Sequence, residues 1–101
     1  MRNRGTSSNG GTFSPETIDA VWSKGQIVPG HNNNVQRKDK CGAWIKYSNY
    51  GDTTPKGSGW QIDHIFPVSM GGSDDLSNLQ PLQWQNNEAK SDYLEGQWSP
   101  A

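Results

Sequence analysis

The sequence contains few of the residues that stabilise small folds by cross-links or by a large core. Only 30% of its 101 residues are hydrophobic, so the core must be small, and five tryptophans supply much of the area it can bury. The single cysteine, Cys41, excludes an internal disulfide and leaves a cysteine-based zinc site without its other ligands. No apolar run approaches the roughly 20 residues that a membrane-spanning helix needs. A length of 101 residues predicts one domain. Because the sequence begins without a hydrophobic signal region, we expect this domain to be located in the cytoplasm.

The net charge of −1 gives no overall indication of nucleic-acid binding, but the charges are unevenly distributed. Residues 24–59 hold six Lys and Arg against two Asp, a balance of +4. Residues 60–101 hold one Lys against six Asp and Glu, a balance of −5. This asymmetry is compatible with a phosphate-facing surface beside an acidic, metal-binding one, and equally with ordinary solvated charges.

Hydrophobic spacing and turn residues predict an α+β domain divided into four segments. Residues 1–12, rich in Gly, Ser, Thr and Asn, are predicted to be a disordered tail. Residues 13–59 are predicted to form an N-terminal extension, with a helix over about 15–24 capped by Ser14 and Pro15 and a short strand at 41–47. Residues 60–95 are predicted to be the core, with a strand ending near Asp63, a loop, a returning strand at 76–82 and a helix at 84–94. Residues 96–101 would be a C-terminal tail.

Asp63 and His64 stand together at the end of the first core strand, and each can bind a metal or move a proton. An isolated Asp-His pair is more often structural. Neighbours on a regular strand also point to opposite faces, so both side chains can serve one site only where the strand bends or ends. Pro67 and the two glycines at 71 and 72 favour such an ending.

The spacing of later polar residues decides between these interpretations. Asn78 lies 14 residues after His64, Asn87 nine residues after Asn78, and Lys90 three residues after Asn87. Together with Asp63, this order closely resembles the HNH endonuclease family, in its variant with Asn at the third position, over residues 60–92. The resemblance implies a ββα-metal fold, in which two strands and a helix surround one divalent ion. It also implies hydrolysis of DNA, and we expect low sequence preference from so small a domain.

The resemblance further implies a role for each residue of the pattern. Asp63 and Asn87 would be the metal ligands, since their hard oxygens suit Mg²⁺ or Mn²⁺. His64 would be the general base, because a neutral imidazole can take a proton from water near neutral pH. Asn78 would support catalysis as a brace, using its amide to bind backbone groups of the loop and hold His64. The expected product ends are a 5′-phosphate and a 3′-hydroxyl.

Many HNH proteins also carry a structural zinc ion, held by two Cys-x-x-Cys pairs that flank this pattern. The corresponding positions here are Cys41 with Trp44, and Gln83 with Asn86. Because three of the four thiolates are missing, we expect no structural zinc. Packing by Trp44 and Trp84 would take its place, with Cys41 as a small buried hydrophobic residue.

The predicted DNA contacts are Arg37, Lys38 and Lys90, each of which could meet a phosphate or be an ordinary surface residue. His31, in an Asn-rich loop, is predicted to be exposed and not catalytic. The net charge predicts weak, salt-sensitive binding, so a protein partner could supply targeting. Two other functions stay open: a non-catalytic nucleic-acid-binding module, and a domain in which the metal serves folding alone.

Overall fold

The computed structural model describes residues 3–55, 57–94 and 96–101. Lys56, counted above in the basic stretch, and Glu95, the last residue of the predicted core, lie outside these ranges, as do the first two positions of the predicted tail. The described part of the chain is a mixed α/β fold with two helices and two small antiparallel sheets, which confirms the predicted fold class at that level. None of the described helices is long and apolar enough to span a membrane.

The first helix, α1, runs from Pro15 to Trp22, close to the predicted range. It begins there because the Ser14 side chain accepts a hydrogen bond from the Thr17 backbone N–H and proline occupies the first helical position. Its apolar positions pack inward, and Val21 and Trp22 are buried. The helix therefore forms one wall of the core.

A short hairpin follows, made of β1 (Gln36–Lys38) and β2 (Trp44–Lys46), paired antiparallel. The strand predicted at 41–47 corresponds to β2, which is shorter, while β1 was not predicted. Its sequence, Gln-Arg-Lys, has no alternation of apolar and polar residues, so nothing in the local pattern indicates a strand. Ile45 on β2 is fully buried and joins the hairpin to the core.

The predicted core contains β3 (Trp60–His64), β4 (Leu79–Gln83) and α2 (Trp84–Lys90), a series that we call the ββα unit. β3 and β4 pair antiparallel, with Trp60 opposite Gln83 and His64 opposite Leu79. Pro81 is tolerated in β4 because both strands of a two-stranded sheet are edges. Residues 76–78, predicted to begin the returning strand, instead form a 3₁₀ turn.

The helix α2 is shorter than the range predicted at 84–94, and the face that it buries is polar. It ends at Lys90 because Ser91 adopts a positive φ of 50°. Tyr93, within the predicted helix but beyond the end of α2, is 53% exposed. The residues that α2 buries are polar: Asn86, Asn87 and Lys90. This helix therefore contributes polar groups to the interior of the ββα unit. The apolar cluster lies on the other side of the sheet and is formed by Val21, Trp22, Ile45, Trp60, Ile62 and Leu79.

The described part of the N-terminal segment, residues 3–12, crosses the ββα unit and makes specific contacts with it. The backbone N–H and hydroxyl of Ser8 donate to the carboxylate of Asp74, at 3.0 and 2.8 Å. The guanidinium of Arg4 donates to Ser91 Oγ at 2.9 Å. The composition of this segment, which led to the prediction of a disordered tail, did not indicate these contacts.

The fully buried carboxylate of Asp39 links the first hairpin to α2. One oxygen accepts hydrogen bonds from the backbone N–H groups of Cys41 and Ala43, both at 2.9 Å. The other accepts from the backbone N–H of Gln83 at 2.9 Å and from Asn86 Nδ2 at 3.0 Å. These are the two segments that contain the positions compared above with structural zinc ligands. We predict that tryptophan packing links them in place of zinc, but the link in the structure is the carboxylate of Asp39.

The two tryptophans and the cysteine of that prediction lie elsewhere. Trp44 is half-buried against His31, with ring centroids 4.6 Å apart, and Trp84 donates from its ring nitrogen to the Thr54 carbonyl at 3.1 Å. Cys41 is partly exposed, so the expectation that it is a buried hydrophobic residue is wrong. His31 is exposed, as predicted.

Replacing Asp39 should destabilise the fold strongly. In Asp39→Ala two buried and two partly buried donors lose their acceptor, and we expect the free energy of unfolding to fall by about 3 kcal/mol or more. Asp52→Ala is the matched control, because among the described residues that carboxylate accepts a bond from the Thr54 N–H, and its loss should cost about 1 kcal/mol. Urea unfolding followed by tryptophan fluorescence measures both values. Equal stabilities for the two variants would contradict the structural role of Asp39.

Candidate functional site

Asp63, His64 and Asn87 line a small, partly open cavity between the ββα unit and the N-terminal segment. Its volume is about 10 Å³, close to the minimum that holds one water molecule. Nine of the described residues line it: Arg4, Gly5, Ile62, Asp63, His64, Pro67, Asn87, Ser91 and Asp92. β3 ends at His64, which meets the condition under which the adjacent Asp63 and His64 can serve one site.

Two glutamine side chains hold the proposed metal ligands in place. Asn87 Nδ2 donates to Gln61 Oε1 at 2.8 Å, which leaves the amide oxygen of Asn87 as the group available to a ligand. Gln80 Nε2 donates to Asp63 Oδ2 at 2.8 Å. Both glutamines lie on the sheet beneath α2, and neither was singled out in the sequence. The alternation of polar Gln61 with buried Trp60 and Ile62 was a signal that could have found one of them.

The carboxyl of Asp63 is almost fully buried, and burial raises its pKa. Hydrogen bonds from Gln80 and the positive charge of Lys90 act in the opposite direction without cancelling this effect. A cation at the cavity would favour the charged form of Asp63, because an opposite charge nearby offsets the cost of desolvation. Binding of a positive ion at the cavity would therefore stabilise the charged form of the buried Asp63 carboxyl.

His64 is held by a carboxylate from the loop between β3 and β4. Its Nε2 lies 2.7 Å from Asp74 Oδ1, and the Phe13 ring lies beside the imidazole with centroids 6.0 Å apart. Burial raises the pKa of Asp74, but the hydrogen bonds from His64 and Ser8 outweigh it, so the net shift is downward. Asp74 keeps its charge beside the imidazole as a result.

Asn78 braces this loop but does not contact the imidazole. Its Oδ1 accepts from the Phe66 N–H at 2.7 Å, and its Nδ2 donates to the carbonyls of Phe66 and Ser73, at 3.1 and 2.8 Å. The loop turns back on itself so tightly at Gly72 that a Cβ atom there would lie 1.8 Å from the Phe66 carbonyl oxygen. Asn78 and Gly72 therefore bring Asp74 to His64.

Lys90 does not lie on the surface, so its prediction as a phosphate contact is wrong. It is fully buried, and its Nζ donates to the His64 carbonyl oxygen at 3.0 Å and lies 3.2 Å from Asp63 Oδ1. The three-residue spacing after Asn87 placed it on the inner face of α2, where a buried cation needs a carboxylate partner. Lys90 thus joins the end of β3 to α2.

Arg37 is likewise unsuited to bind DNA, and the structure corrects that prediction. It is buried, and its guanidinium donates to the carbonyls of Asn33, Ser23 and Gly25 at 2.9 to 3.1 Å. Lys38 is half-buried, with its ammonium 5.0 Å from the centroid of the Trp44 ring. Neither residue lines the cavity.

The N-terminal segment contributes residues that sequence reasoning assigned to a disordered tail. Arg4 and Gly5 line the cavity, and Ser8 binds Asp74. Within the described ranges no cluster of three or more His, Cys, Asp and Glu residues has the arrangement of a metal centre. The predicted metal ligands at the cavity are one carboxylate, Asp63, and one amide, Asn87, which suits an ion that keeps most of its water.

Removing the charge of Lys90 should leave Asp63 buried without its cation. We expect Lys90→Met to lower the free energy of unfolding by about 3 kcal/mol, the usual cost of breaking a buried ion pair. Lys46→Met, at an exposed position of β2, should change it by less than about 0.5 kcal/mol. Urea unfolding compares them, and a Lys90→Met protein as stable as the parent would show that the pair is unimportant.

A comparison with family models relates part of this sequence to a known group. The model described as HNH endonuclease matches residues 54–95, which contain all of the ββα unit. A search of curated proteins and a search of solved structures each returned no match. The match confirms, for residues 54–95, the family predicted from the spacing of Asp63, His64 and Asn87.

Proposed function

We propose that this domain hydrolyses phosphodiester bonds of DNA with the help of one divalent ion, Mg²⁺ or Mn²⁺, held by Asp63 and Asn87. The observation that carries the proposal is that Asp63, His64 and Asn87 line the same cavity of about 10 Å³. The donors fit the ion, because both ligands are hard oxygens and Gln61 occupies the amide nitrogen of Asn87. When bound, the ion would supply positive charge against the charge that develops on the phosphate and the departing oxygen.

Proton transfer in the proposed reaction is assigned to His64. His64, neutral and with Nε2 engaged by Asp74, takes a proton from a water molecule through its other ring nitrogen. The water oxygen attacks phosphorus, the bond from phosphorus to the 3′ oxygen breaks, and that oxygen gains a proton from solvent. The products are the 5′-phosphate and 3′-hydroxyl ends. Asp63 and Asn87 take no part in proton transfer.

A groove beside the cavity supports a nucleic-acid strand as the substrate. It has a volume of about 860 Å³, shares Arg4 and Asp92 with the cavity, and is also lined by Trp84. Arg4 would bind a phosphate, and the indole would stack on a base regardless of its identity. Such contacts predict low sequence preference. With a net charge of −1, binding would be weak at high salt, so a protein partner that brings the domain to DNA remains part of the proposal.

Plasmid nicking tests the catalytic assignment. The parent protein should nick supercoiled DNA with Mg²⁺ or Mn²⁺ and not with EDTA, and His64→Ala should lower the rate at least about 100-fold, the usual minimum for losing a general base. His31→Ala is the matched control, since His31 is exposed and is not among the residues that line the cavity, and it should retain parental activity. Equal rates for His64→Ala and the parent would refute the assignment.

The same proteins separate the two alternative functions. A metal-stabilised structural module would gain thermal stability from Mg²⁺, by about 2.7 kcal/mol at a concentration of 100 Kd, yet cleave nothing. A non-catalytic nucleic-acid-binding module would bind DNA with no cleavage at any metal concentration. The proposed enzyme should show cleavage together with a stability gain from Mg²⁺ that Asn87→Ala removes.

Arg4 provides a test of how the substrate is held. In a His64→Ala background, Arg4→Ala should weaken binding to a labelled DNA duplex and reduce the slope of log K against log salt by about 1, the effect of one lost phosphate contact. Arg4→Lys, which keeps the charge, should preserve most of the slope. Fluorescence anisotropy over a salt series gives these values, and an unchanged slope in Arg4→Ala would exclude a phosphate contact there.

A further inference from the structure

We propose that Asp74 is the positioning residue of His64, and that Ser8 holds Asp74 for this purpose. This inference rests on the proposed function, in which His64 is the base. The 2.7 Å contact joins Asp74 Oδ1 to His64 Nε2, on a ring that also lines the cavity. No other carboxylate of the described residues hydrogen-bonds to this ring.

The contact determines which ring nitrogen can accept a proton. A carboxylate accepts hydrogen bonds and donates none, so the nitrogen that faces Asp74 must carry the hydrogen. In the neutral imidazole the lone pair then lies on Nδ1, and only that nitrogen can take a proton from water. Asp74 thus selects the tautomer and, together with Phe13, the orientation of the ring.

Besides His64, Asp74 is held by Ser8 of the N-terminal segment. Its side chain is 38% exposed, so water competes for its oxygens and a single contact would hold it weakly. Ser8 adds a backbone N–H at 3.0 Å to Oδ1 and a hydroxyl at 2.8 Å to Oδ2. These donors fix both oxygens. The loop that carries Asp74 is fastened from behind by Asn78, which binds the Ser73 carbonyl.

The chain offers a matched set of variants. Asp74→Ala removes the acceptor, and Asp74→Asn keeps an acceptor oxygen without the charge. Asp75→Ala changes an exposed carboxylate one position along the same loop and serves as the control. Ser8→Ala removes the hydroxyl donor while the backbone N–H remains.

The first measurement does not depend on cleavage. Ring ¹⁵N chemical shifts of His64, recorded on the metal-free protein, should report the Nε2–H tautomer in the parent and in Asp75→Ala. They should report a mixture of both tautomers in Asp74→Ala. An Asp74→Ala protein that keeps the parental shifts would overturn the proposal, and this result stands whether or not the domain proves to be a nuclease. If the parent fails to nick DNA while the shifts change as expected, the proposed function fails and the positioning of His64 holds.

The second measurement is kinetic. Asp74→Ala should lower kcat by about tenfold to 100-fold, the range found for partners that orient a functional histidine, with KM within about threefold of the parent. Asp74→Asn should lose less, and Ser8→Ala less than about threefold. In a His64→Ala background Asp74→Ala should have no further effect, because its action passes through His64. An equal loss in both backgrounds, or weaker Mg²⁺ binding with kcat unchanged, would overturn the positioning role.

Discussion

The position of α2 depends on the buried carboxylate of Asp39. A carboxylate can accept about four hydrogen bonds, and this one receives all of them from the two segments that it joins. Gln83, where α2 begins, is held through its backbone N–H, and Asn86 is held through its side chain. Asn87 and Lys90 follow on the same short helix. Their positions over the sheet therefore follow from a charge placed outside the family-matched segment, in the turn between β1 and β2.

The interior of the ββα unit is polar, and this has a physical consequence. Lys90, Asp63, Asn87 and Gln61 would each be costly to bury alone, but every buried side-chain polar atom in the described ranges has a partner. Replacing a buried polar network by apolar residues often preserves or raises the stability of a protein. A gain in stability therefore does not explain why the interior of the ββα unit is polar. The network holds side chains in defined orientations, as a site that binds an ion and a water molecule requires.

Local pattern was enough to predict α1, β3 and most of β4, and the resemblance in spacing pointed to Asp63, His64 and Asn87, but neither indicated that Arg4 and Gly5 also line the cavity. The features that local pattern did not predict depend on partners distant in sequence. Asp39 binds residues 44 and 47 positions away, and Ser8 binds one 66 positions away. β1 is paired through backbone groups that any residue possesses, so its sequence carries no signal. Lys90 shows a different limit, because its spacing from Asn87 correctly placed both on one helix but could not tell which face of that helix is buried.

The reactive groups and their supports come from different parts of the chain. Residues 54–95, the part that matches the family, contain Asp63, His64, Asn87 and Asp74. Ser8 and Phe13, which contact Asp74 and His64, come from the N-terminal part, as does Arg4 at the cavity. The contacts that hold Asp74 beside His64 and part of the lining of the cavity therefore come from the same N-terminal stretch of chain.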